Sequence, residues 1–77
     1  MYLKRDIDIK NFLLQVTKCA EDVFFETTEG DVLNLSSTLS QYVFCSISIQ
    51  PEYWVTGTIR CANASDYKIL SDYLLEV

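Results

Sequence analysis

Polar and apolar positions alternate from the first residues. Leu3, Arg5, Ile7 and Ile9 share one set of alternate positions, which predicts a short first strand with one buried face, at a sheet edge. From Ile9 the period changes. Phe12, Leu13, Val16 and Ala20 recur at helical spacing, and Asp6 or Asp8 stands where a carboxylate caps free backbone amides, predicting a helix over Asp8 to Ala20.

Two β-rich runs follow, Asp22 to Thr27 and Asp31 to Leu35, around Thr28-Glu29-Gly30. Gly30 can take the positive φ of a tight hairpin, so these runs are predicted to be antiparallel neighbours. Leu39, Tyr42 and Val43 define a second, short helix. Cys45, Ile47 and Ile49 then alternate with serines up to Gln50-Pro51, so residues 45–50 read equally as extended chain or as the helix tail. After Pro51, the alternation of Tyr53, Val55, Gly57, Ile59 and Cys61 with Trp54, Thr56, Thr58 and Arg60 predicts a fourth strand. Asn63 and Ser65 offer caps for a last helix carrying Tyr67, Leu70, Leu74 and Val77. The predicted order is β-α-β-β-α-β-α, an α+β open-faced β-sandwich. Its four-stranded antiparallel sheet has helices on one face and solvent on the other.

At 77 residues, with no repeat, low-complexity tract or linker, residues 1–77 form a single domain. The 49% hydrophobic and 13% aromatic content places the chain among folded proteins, because such side chains offset ordering entropy with buried area. The cysteines Cys19, Cys45 and Cys61 are odd in number and widely spaced, without the CxxC pairs of zinc or dithiol sites, so reduced thiols and a cytoplasmic location are expected. The start of the chain has no apolar leader, and no run approaches a membrane span. Residues 1–20 carry net +2 and residues 21–77 net −7, summing to −5. Six scattered bases in an acidic chain do not supply the clustered cations that nucleic acid binding requires.

Histidine is absent, so a serine or cysteine nucleophile would need a lysine or carboxylate as its base, and none stands at a telling spacing. The acids are too scattered for a calcium loop. No catalytic residue, metal or cofactor is therefore expected. Tyr53 and Trp54 lie on opposite faces of the fourth strand, so one of them is a candidate contact patch for a protein partner. In Val32 to Gln41, VLNLSSTLSQ, the hydroxyl row fits a helix start: Ser37 is a legal N-cap, and Thr38 with Gln41 fits a capping box.

Several of these residues together are similar to one family. Leu13 to Lys18 on the first helix, Asp22-Val23 opening strand two, Glu26 within it, Gly30 at the hairpin, then Val32, Asn34-Leu35 and Ser37, resemble HPr, the phosphocarrier protein of the bacterial sugar phosphotransferase system. The resemblance runs from about Ile9 to Glu76 and rests mostly on structural positions. That family carries its phosphoryl group on a histidine at the start of the first helix, in a Gly-Ile-His-Ala-Arg-Pro-like motif. Here the matching segment reads Lys4-Arg5-Asp6-Ile7-Asp8, whose carboxylates would repel a phosphoryl group.

The resemblance therefore implies a divergent, non-enzymatic regulatory or protein-binding module. Its implied partners are phosphotransferase-system proteins or HPr kinase, with no membrane and no nucleic acid. It also implies Ser37 as a site of regulatory phosphorylation, although Ser36 replaces the family's basic residue before it and Thr38-Leu39-Ser40-Gln41 departs from the family's following stretch. Two other readings stand beside it: a small-molecule-sensing domain of ferredoxin-like or ACT-like type, and a small acidic inhibitor of a partner enzyme.

Overall fold

A computed structural model describes residues 1–4, 6–47 and 56–75. Its elements are β1 (Tyr2–Leu3), α1 (Ile9–Val16), β2 (Val23–Glu26), β3 (Val32–Asn34), α2 (Thr38–Ile47), β4 (Thr58–Cys61), two 3₁₀ turns (Ala64–Lys68 and Ser71–Tyr73) and β5 (Leu74–Leu75). The sheet order is β3-β2-β4-β1-β5, and every neighbouring pair is antiparallel. This is a small α+β domain with two α-helices and five strands, one strand more than the sequence pattern predicts.

The pleat separates two environments. Val23 and Phe25 on β2, Ile59 and Cys61 on β4, Leu3 on β1 and Leu74 on β5 are buried, as are Phe12, Leu13 and Val16 of α1 and Phe44 of α2. Three phenylalanines join sheet to helices: Phe44 lies 5.0 Å from Phe25 and 6.1 Å from Phe12, ring centre to ring centre. On the opposite face one registered row crosses all five strands, Val32, Glu26, Thr58, Tyr2 and Leu75, and none of its members is buried. Beside that row, the Arg60 guanidinium sits 4.5 Å over the Phe24 ring and pairs with Glu26 at 2.8 Å. Gly30 has φ +93°, the conformation its hairpin needs.

Four expectations need correction. The predicted last helix is replaced by the two 3₁₀ turns and β5. Tyr67, Leu70 and Tyr73 are spaced by three, the 3₁₀ period; Leu70 is fully buried and the two tyrosines pack on the core. Beyond them β5 pairs Leu75 with Tyr2 and Leu74 with Leu3. That pairing moves β1 from the predicted edge to a position between β4 and β5. The first helix ends at Val16, four residues early. The turns after it close by i→i−3 bonds, Lys18 N–H to Gln15 O at 3.0 Å and Cys19 N–H to Val16 O at 3.1 Å. Finally, the first strand spans only Tyr2–Leu3; Ile7 lies ahead of α1 and Ile9 is its first residue, both partly buried against the core. Residues 45–47 belong to α2; residues 48–50 and most of the segment leading to β4 lie outside the described residues.

Candidate functional site

The hydroxyl row before α2 is a structural joint. Asn34 Oδ1 accepts from Ser36 N–H at 3.0 Å, the local side-chain turn that asparagine favours at a strand end. Ser36 Oγ accepts from Val23 N–H at 3.4 Å, tying the joint back to β2. Ser37 is exposed at the position preceding α2, and its carbonyl accepts the helix's first bond, from Gln41 N–H at 2.9 Å. Thr38 is thus the first residue of α2 and not the residue before it, the position from which a capping box to Gln41 would start, and the Gln41 side-chain amide donates to Leu35 O at 2.7 Å. At α1, Asp8 is the N-cap, its carboxylate accepting from Lys10 N–H at 3.0 Å and Asn11 N–H at 3.3 Å. Tyr53 and Trp54 lie outside the described residues.

A second joint closes the far end of α1. Asp66, buried in the first 3₁₀ turn, accepts from Ala20 N–H at 3.0 Å and Glu21 N–H at 3.1 Å. Nearby, the Tyr67 hydroxyl accepts from Cys61 N–H at 3.1 Å, and Ala62 N–H donates to Asp22 O at 2.9 Å. Burial pushes the Cys61 thiol up to about 11, with Cys19 and Asp66 adding to the rise and the N-terminal ammonium opposing it. Burial also raises the Cys19 thiol, followed by the charge of Asp66. Both thiols are therefore held in the protonated, unreactive form at neutral pH. Next to this joint is an open groove of about 310 Å³, lined by Val16, Cys19, Glu21, Asp22, Ser36 and Gln41 among others. Among the described residues no group of three His, Cys, Asp or Glu side chains is placed to hold a metal ion.

The most distinctive surface is on α2. Leu39, Tyr42 and Val43 define this helix in the sequence, yet they form the face turned away from the core: Leu39 and Tyr42 are each 74% exposed and Val43 40%. Among the described side chains of α2, Phe44 is the one that is fully buried. The spacings 39, 42 and 43 place the three apolar side chains on one stripe. No charged residue occurs from Val32 through Pro51, in a chain that carries 17 charged residues in all. The helix also has no acid in its first turn and no base in its last. The missing charges are the signal in the sequence for this face: an exposed helix normally lines its solvent side with Lys, Glu or Arg.

No family model, curated protein or solved structure matches the chain.

Proposed function

We propose that this chain is a non-enzymatic protein-interaction module that docks through the exposed face of α2. One observation carries the reading: Leu39, Tyr42 and Val43 form an apolar helical stripe that the fold leaves uncovered, in a span without charge. Scattered exposed apolar residues are ordinary, whereas a stripe centred on an exposed tyrosine has the composition of an interface core. Asp66 is satisfied by two backbone amides, and the two thiols with displaced pKa are displaced away from reactivity.

The regulatory part of the reading, drawn from the HPr resemblance, places a phosphate on Ser37. Support comes from its exposure and its position one residue before α2, where unpaired amides and the helix dipole favour added negative charge. A phosphate there would put about −2 charge beside an otherwise neutral docking face and weaken apolar docking.

Two experiments test these parts separately. Affinity purification of the tagged chain from its native cells, compared by quantitative mass spectrometry with Leu39→Glu and Tyr42→Lys variants, is expected to lose its bound protein in both variants. Equal recovery with all three would overturn docking through α2. Incubation with an HPr kinase and ATP is expected to add one phosphate mass to the chain and none to Ser37→Ala; an unchanged mass would remove the phosphoserine.

A further inference from the structure

We infer that the α2 docking face is self-complementary, and that its partner is a second copy of this chain, with the two α2 helices packed antiparallel across a two-fold axis. The inference rests on the docking reading above and names its occupant.

Charge distribution is the first reason. Two chains of net −5 repel each other, and all 11 acids lie outside residues 32–51, the span that carries α2. Contact along the α2 stripe sets no carboxylate of one helix against a carboxylate of the other. A basic partner would instead be drawn to the acidic remainder of the surface, where this helix offers it no carboxylate.

The helix dipole supplies the second. α2 has 10 residues with neither an acid at its start nor a base at its end, so both partial charges of its termini go uncompensated by its own side chains. A two-fold axis perpendicular to the helix sets each positive end beside the partner's negative end without any charged side chain. Isologous symmetry then makes one stripe meet itself, so that Tyr42 sits near the axis with Leu39 and Val43 beside it.

Area limits the strength of the contact. A helix of this length presents about 15 Å of axis, and a standard interface takes about 800 Å² from each partner. The chain's accessible surface totals 4920 Å², and one helix of about 15 Å offers well under the standard share. The dimer is therefore weak and reversible.

Sedimentation equilibrium of the full chain from about 10 μM to 1 mM tests the inference. The expected result is a reversible monomer–dimer transition. Tyr42→Lys and, independently, Leu39→Glu should each weaken it at least about tenfold, with urea midpoints near wild type establishing that both variants fold. A monomer throughout, or a dimer indifferent to both substitutions, would overturn the inference. If the chain stays monomeric while the two variants still lose a bound protein from cells, the second copy falls and docking through α2 stands. If neither changes, docking falls as well.

Discussion

The Asp66 carboxylate holds the backbone N–H of Ala20 at 3.0 Å, across 46 positions of sequence, and takes the next amide, Glu21, at 3.1 Å. One side chain thus fastens the C-terminal segment to the exit of α1. Asp66, itself 3% exposed, is the acceptor for both amides, so Asp66→Ala is expected to cost about 1–3 kcal/mol, with Asp66→Asn costing less. Urea denaturation measures both. A loss below about 1 kcal/mol for alanine would mean that the clasp does not hold the C-terminal segment.

Tyr42 and Phe44, two positions apart on α2, have opposite environments. Phe44→Ala removes a ring that touches Phe12 and Phe25, with an expected loss of about 3–5 kcal/mol. Tyr42→Ala should change stability by less than about 0.5 kcal/mol. Comparable losses would place the core on the wrong side of this helix.

The two glycines fail for different reasons when replaced. A Cβ on Gly57 would lie 2.5 Å from Phe25 Cε1 and overlap Cζ, and Phe25 has no exposed side to move toward, so Gly57→Ala is expected to cost about 1–3 kcal/mol. At Gly30 a Cβ meets nothing within 4 Å, and only the positive φ opposes it, so Gly30→Ala should cost about 1 kcal/mol. The same denaturation series reads the order of the two; Gly30→Ala as the more damaging change would contradict the packing described.

Thiol ionisation should erode stability at high pH. The Cys61 thiol is raised from 9.0 to about 11 in the folded chain, so between these values the folded state holds a proton that the unfolded state has released. The stabilisation is fully present below pH 9 and is lost as pH rises through about 11. Urea midpoints should therefore fall over this window, and fall less steeply in Cys61→Ala, whose starting stability is lower. In parallel, iodoacetamide at pH 8 should label the exposed Cys45 well before Cys19 or Cys61. Equal labelling of all three would contradict the burial assigned to this corner.

Legibility of the chain followed the range of its interactions. The first helix, the Gly30 hairpin and the antiparallel pairing of β2 with β3 are set by near neighbours, and period and turn chemistry display them. The C-terminal segment is different. Tyr67, Leu70 and Leu74 fit an α-helical stripe as well as they fit 3₁₀ turns, and what selects β5 is the unpaired edge of β1, more than 70 positions away by the Tyr2–Leu75 register. The Asp66 clasp is equally non-local. On α2 the spacing of Leu39, Tyr42 and Val43 located the helix while hiding its orientation, since the same stripe fits a core face and a docking face. Exposure of that stripe depends on Phe44 filling the core between Phe12 and Phe25.

Photo-crosslinking in native cells tests docking through α2 most directly. A benzoylphenylalanine placed at Tyr42 is compared with one at Phe24, on the face of the sheet opposite Phe25. Docking through α2 predicts a discrete cross-linked protein from position 42 and none from position 24, with peptides of this same chain in the adduct if the partner is a second copy. Adducts from position 24 alone, or none from position 42, would contradict it.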